Sequence, residues 1–329
     1  MKQFIGYAAM FEQFAPNELL TWCEEAEAAG FGAIMTSDHF NPWTPHQGQS
    51  AFVWTWMGAL GRAVSLPFIT GVTPPGYRYH PAVLAQAAAT TQAMYPGRFT
   101  LGLGAGEALN EHIVGGYWPE APERVERLFE SIEIIRKLFT GKPVKHTGKY
   151  YRLETARLWT MPQTPPPIVV ATSGPYVSKK TGAMCDGIMT VGAADEKVRM
   201  LLDRFADGAR ESGKNPEQMS KILQLHLSWA RTVEEATDNA LREWPNGGMN
   251  FAKADIRDPE VFEALARLVR PEHFAGRVHI SNDPGFFVTL LQHFIDLGFN
   301  EIYVHNVGRN QSAFIRMFGQ EVLTQLRWS

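Results

Sequence analysis

Three side chains that could move a proton or hold a charge lie close together in this chain: Asp38, His39 and, a few residues on, Trp43. Imidazole titrates near neutral pH, so His39 suits a general base. A neighbouring carboxylate suits binding or orienting, and an indole face stabilises nearby positive charge. The trio closes an apolar run, Gly32-Ala33-Ile34-Met35-Thr36, of the kind that forms an interior strand of a parallel sheet. In parallel α/β proteins, ligands sit at the carboxyl ends of such strands. The alternative is structural: Asp38 as a helix N-cap and Trp43 as a loop aromatic.

The remaining chemistry-bearing residues are spread along the chain. Glu12 follows the strand-like run Phe4 to Ala9. Gly102-Leu103-Gly104-Ala105-Gly106 resembles a dinucleotide fingerprint, but Glu107 stands where the third glycine belongs. Small residues there still let backbone approach a flat or phosphorylated ligand. Lys253, Arg257 and Arg277, with His279 following, read either as solvated charge or as a clamp for an anionic substrate tail. No His, Cys and Asp spacing argues for a metal, and no Gly-x-Ser-x-Gly elbow argues for acyl transfer.

The elements that must position these residues alternate along nearly the whole chain. Strands are expected at 4–9, 32–36, 68–72, 99–103, 168–172, 187–191, 222–227 and 301–305. Helices are expected between them, among them one capped by Asn17 and ended by Gly30, one opened by Pro81, one opened by a Thr232/Glu235 capping box and one started by Asp283-Pro284. Two segments break the rhythm and read as insertions, about 140–167, with a hairpin at Tyr150-Tyr151, and about 245–280. About eight strands alternating with helices, with no linker or composition break, favour a (β/α)8 TIM barrel over an open doubly wound sheet, so residues 1–329 are expected to form a single domain.

A barrel would gather at one mouth Glu12, Asp38, His39, Trp43, Gly71, Val72, Ala105, Gly106, Glu107, Asn110, Ser173, Gly174 and Thr190. That convergence of polar and small residues is the pattern by which this architecture builds catalytic sites.

Composition narrows the class. Hydrophobic residues make up 45% of the 329 and charged residues 20%, which suits a chain with a sizeable core. A net charge of −3 without a basic stripe argues against nucleic acid or a membrane surface as a partner. Cys23 and Cys185 read as reduced core thiols, with a single disulfide the alternative. Met1 to Tyr7 holds no signal-like apolar stretch, and the expected location is cytoplasmic.

Five motifs carry a resemblance that spans essentially the whole chain: Glu12-Gln13-Phe14-Ala15-Pro16, Ser37 to Trp43, Tyr79-His80-Pro81-Ala82, Gly106 to Glu111, and Tyr150-Tyr151-Arg152-Leu153. With these the sequence resembles the bacterial luciferase-like superfamily, and within it the coenzyme F420-dependent glucose-6-phosphate dehydrogenases, with F420-dependent secondary-alcohol dehydrogenases close by. The resemblance implies a homodimer and hydride transfer from C1 of a sugar 6-phosphate, glucose 6-phosphate first, to C5 of oxidised F420, giving 6-phosphogluconolactone. The alternatives are a secondary-alcohol substrate or an FMN-dependent luciferase-like monooxygenase.

It further implies roles for individual residues. His39, Glu107 and Trp43 match catalytic positions, and Glu12 a supporting carboxylate. Asp38, Ala105, Gly106, Asn110, Ser173, Gly174, Tyr176 and Val177 match cofactor contacts, and Gly71-Val72 a non-prolyl cis peptide behind the ring. Thr190, Lys253 and Arg277 match phosphate contacts. Two positions depart from the pattern. Pro74 stands where a threonine is common, and Ala193 where a phosphate-binding lysine is expected, leaving Lys197, one helical turn on, to compensate.

Overall fold

The computed structural model describes residues 3–328; Met1 and Lys2, which open the N-terminal stretch discussed above, lie outside the described residues. Eight parallel strands close a ring. In chain order the strands are β1 (Phe4–Ala9), β2 (Ile34–Thr36), β3 (Phe68–Thr70), β4 (Phe99–Leu103), β5 (Val144–Thr147), β6 (Arg152–Ala156), β7 (Ile168–Ala171), β8 (Gly187–Val191), β9 (Ser220–Trp229), β10 (Val278–Ser281) and β11 (Glu301–Asn306). The ring runs β1-β2-β3-β4-β7-β8-β9-β11 and back to β1, every pairing parallel. β5 and β6 form a separate antiparallel pair, the expected hairpin around Tyr150-Tyr151.

Period-2 alternation explains the two cores. Met35, Ile69, Val169, Met189, Ile222 and Tyr303 turn inward and fill the barrel. Ile34, Phe68, Leu101, Ile168, Leu223 and Ile302 turn outward against the helices. Burying each such side chain contributes about 1.5–3 kcal/mol.

Most helix signals act where expected. The alanine-rich helix spans Pro81–Met94. Thr232 Oγ1 accepts from the Glu235 amide at 3.2 Å, and Asp283 Oδ1 from the Gly285 amide at 2.9 Å. Asn17 is not a cap: the first helix is Pro16–Ala28 with Ala15 at its N-cap, because the fixed φ of Pro16 starts it two residues earlier, and the Glu18 carboxylate accepts from the Ala15 amide at 3.1 Å. Cys23 and Cys185 are free and buried.

The second irregular segment differs from expectation at its end. Val278–Ser281 is a strand, too short for its alternation to stand out in sequence. It takes the upper half of an edge of β9. β8 pairs with residues 220–224 of β9, and β10 with residues 226–229. Before it, the helix Pro259–Ala266 and the turn around Phe274 pack Phe262, Val269 and Phe274 with Trp43, Trp244 and Met249 into a second apolar cluster. No helix among the described residues is long and apolar enough to cross a membrane.

Candidate active site

A cavity of about 470 Å³ opens at the carboxyl ends of the barrel strands. It is lined by Glu12, Asp38, His39, Trp43, Gly71, Val72, Ala105, Gly106, Glu107, Asn110, Ser173 and Thr190, all expected from the sequence, together with Met10, Ser37, Pro74, Gln224, His226 and Trp244.

His39 is held in one orientation. Its Nδ1 lies 3.2 Å from the Asn41 carbonyl oxygen and 3.5 Å from Glu12 Oε1. Both neighbours are acceptors, so the proton sits on Nδ1 and Nε2 keeps its lone pair. Glu12 is itself fixed, accepting from Ser37 Oγ at 2.8 Å, while Ser37 Oγ accepts from the Phe11 amide at 3.0 Å. A buried carboxylate behind the ring stabilises an imidazolium when Nε2 gains a proton. The Trp43 ring centre is 5.3 Å from that of His39, and Phe262 braces Trp43 edge-on at 5.2 Å.

Asp38 is a buried hub. Its Oδ2 accepts from Thr73 Oγ1 at 2.7 Å, and its Oδ1 from the Tyr79 hydroxyl at 3.0 Å and Arg78 Nη1 at 3.3 Å. Arg78 also donates from Nη2 to the Asp38 carbonyl at 2.9 Å and from Nε to Glu111 Oε1 at 3.0 Å. Burial pushes the carboxyls of Asp38 and Glu111 up, and the Arg78 charge opposes it. Asn110 pins the same loop, its Oδ1 accepting from the amides of Phe40 at 2.9 Å and Asn41 at 3.1 Å.

The neighbouring wall, after β3 and β4, is lined by Gly71, Val72, Pro74 and Gly104 to Gly106. The Gly71–Val72 peptide is cis, as the resemblance implies. A Cβ at Gly71 would stand 2.6 Å from Met35 Sδ, and one at Gly104 2.6 Å from Val72 Cγ2, so any side chain there would displace this surface. Gly106 has φ +83°, the left-handed region that glycine tolerates. Glu107 follows. Burial pushes its carboxyl up, against the pull of His39 and Lys253. The adjacent Ala108 amide donates to the Ala254 carbonyl at 2.7 Å, tying the second irregular segment to this loop.

At the far end stand Thr190, Gln224, His226 and Trp244. Lys253 is just off the lining, with Nζ 5.9 Å from the Trp43 ring centre and 2.7 Å from the Asn246 carbonyl oxygen to which it donates. Arg277 donates to the Met249 carbonyl at 2.9 Å and to the Asn250 side chain. Arg257 and Lys197 are exposed, and neither lines the cavity, nor does His279. Tyr176 lies outside it too, in a separate hollow with Lys179, Lys180 and Arg204. Gly174 heads the helix Pro175–Met184 next to Ser173, with Val177 in its first turn.

Arg78, Glu111, His226 and Gln224 have no role in the sequence reading. Tyr79 and Glu111 sit inside quoted motifs, which was a signal, but nothing in spacing joins Asp38 to Arg78. Among the described residues no three His, Cys, Asp or Glu side chains are grouped to hold a metal.

The fold and site together define a closed parallel barrel with His39, Glu107 and several glycines around one cavity at its strand ends. A family model described as luciferase-like monooxygenase matches residues 4–300, and the chain belongs to that luciferase-like family. Within it, the chain is 37% identical over 326 residues to an F420-dependent glucose-6-phosphate dehydrogenase of Microbacterium testaceum, covering 98% of this chain and 97% of the relative. A namesake of Kribbella flavida is 38% identical over 328 residues, covering 98% of each chain. Among solved structures, an F420-dependent secondary alcohol dehydrogenase in complex with an F420-acetone adduct superposes with a TM-score of 0.94 at 32% identity, covering 99% of this chain and 100% of that one.

Proposed function

We propose that this protein is a coenzyme F420-dependent dehydrogenase of a CH–OH donor, with glucose 6-phosphate, the substrate its full-length relatives are named for, as the leading candidate. The observation that carries this reading is that two proton-handling groups line one cavity: His39 with a free Nε2, and Glu107 with a carboxyl pushed up by burial.

The residues fit the cofactor. Gly71, Gly104 and Gly106 keep side chains off much of the wall after β3 and β4, which leaves room for a flat ring. Asp38 and Asn110 would be among the residues that hold the ring, and Ser173, Gly174, Tyr176 and Val177, at the start of a helix, suit an anionic group. When bound, F420 supplies the carbon that takes up hydride. His39 Nε2 accepts the substrate hydroxyl proton, Glu12 supports the charge this leaves on the ring, and Trp43 faces the reacting carbon. Glu107 retains a proton above the ordinary carboxylate range and is the donor of the set. Thr190, Lys253 and Arg277 receive the phosphate, the two cations exchanging backbone carbonyls for it.

A secondary-alcohol substrate is the second reading. Ala193 removes an expected cation, and Lys197, exposed and off the cavity, does not replace it. Oxidised F420 mixed with the enzyme and glucose 6-phosphate should lose its visible absorbance. Loss with isopropanol alone selects the second reading, and loss with neither, nor with fructose 6-phosphate or glucose, removes both. The same proposal includes a cytoplasmic homodimer and one folding domain over residues 1–329. Sedimentation as a monomer would remove the dimer, and two separate unfolding transitions would remove the single domain.

A further inference from the structure

The far end of the cavity holds a hydrogen-bond chain whose proton positions follow from its last member. Gln13 Nε2 lies 2.8 Å from the Val307 carbonyl oxygen and 3.5 Å from that of Glu243. Two carbonyls require a donor, so the amide nitrogen faces them and Oε1 faces the other way. Gln13 Oε1 lies 3.1 Å from His305 Nε2, which must therefore carry the ring's proton. His305 is fully enclosed, and burial holds its pKa well below the ordinary value, so the ring is neutral and its Nδ1 is an acceptor. His226 Nδ1 lies 3.0 Å from that atom and has to donate to it.

The tautomer of His226 is thereby set. Its proton is on Nδ1, and Nε2 is a bare acceptor with no partner among the described residues, on a ring that lines the cavity. Trp244 packs against both rings, its centre 5.2 Å from His226 and 4.5 Å from His305. Burial first, with Lys253 and His279 adding repulsion, lowers the His226 pKa to about 3 and keeps the ring neutral.

We propose that His226 is a specificity-determining residue: its Nε2 is a fixed, uncharged acceptor that reads a hydroxyl of the substrate, with His305 and Gln13 as positioning residues that hold its tautomer. The substrate class this selects is an alcohol bearing a second hydroxyl away from the reacting carbon, as a sugar or sugar phosphate does. The inference rests on the dehydrogenase reading for the name of the reaction and on the hydrogen-bond chain for the acceptor.

Two measurements test it. Nitrogen-15 spectra of the full chain with F420 bound should show His226 protonated on Nδ1, with the Nε2 resonance moving when glucose or glucose 6-phosphate is added. An Nε2–H tautomer, or a resonance unmoved by both saturating ligands, overturns the proposal whether or not the enzyme turns over. In kinetics, His226→Phe should raise KM for the sugar substrate about tenfold, the scale of one lost hydrogen bond. It should leave kcat, and both constants for isopropanol, within about twofold, and His226→Gln, which keeps an acceptor, should recover part of the loss. One monodeoxy analogue should be insensitive to His226→Phe. An equal loss on every substrate makes His226 merely structural and overturns the proposal. If the wild type turns over none of the panel, the dehydrogenase reading falls, and the spectra alone decide the role of His226.

Discussion

The two ends of the cavity are built on opposite electrostatic plans. Around β1, β2 and β4, charge is buried and partnered in advance: Arg78 lies between Asp38 and Glu111, and His39 lies against Glu12. Around β8, β9 and β10 the enclosed histidines are neutral, and the cations Lys253 and Arg277 are tied to backbone carbonyls. The difference teaches where specificity is free to vary. Charges in the first end support one another, so removing one leaves the others unpaired in a poorly solvated place. At the second end Lys253 and Arg277 are held by backbone carbonyls and are the groups freer to change, while His226 and His305 depend on one hydrogen-bond chain.

The sharpest way to break this contrast is to remove the cation of the first end. Arg78→Met should cost about 3–5 kcal/mol of stability, because two buried carboxylates lose their counter-charge. Urea unfolding reads it directly, and a loss below about 1 kcal/mol would show that the first end is not prepaid in this way. His39→Ala should lower turnover by about 10²–10⁴-fold while F420 affinity, read from cofactor fluorescence, stays near wild type. Unchanged turnover removes His39 as the base.

Glu107 distinguishes the ends by pH. Its pKa is raised, so its protonated form persists above the ordinary carboxylate range, and any rate that needs that proton falls as pH rises through the raised value. Glu107→Gln cannot titrate, so that falling limb should disappear from the kcat profile along with most of the rate. A limb that survives in the variant belongs to another group. The smallest effect is expected at the far end. Lys253→Ala should weaken sugar phosphate binding by about 1.5–3 kcal/mol, seen in KM, and leave isopropanol unaffected. Comparable losses on both substrates would mean that Lys253 supports the mouth and does not read phosphate.

Much of the barrel was legible because its strands are short apolar runs that alternate with helical patterns, and runs such as Phe99 to Leu103 match the structure residue for residue. The site was legible to the extent that strand ends converge, which places Glu12, His39 and Glu107 at one mouth from their positions in the sequence. What escaped depends on contacts distant in sequence. Arg78 reaches back 40 residues to Asp38, and His226 forward 79 to His305, and no periodicity or motif spacing encodes such pairs. β10 escaped for a different reason: four residues, one of them a histidine, carry too little alternation to separate from the irregular segment before them.

The divided edge of β9 has a consequence for how this enzyme could diverge. β8 alone completes the ring, through five residue pairs with β9. β10 arrives above that closure as the last part of a segment that also carries Lys253 and meets the loop after Glu107 at the Ala108–Ala254 hydrogen bond. The segment is therefore seated on a cylinder that is already closed without it. Exchanging it for a homologous segment of different composition should alter substrate range with the closure of the fold in place, provided that the new segment keeps the brace on Trp43 and the bond to Ala108.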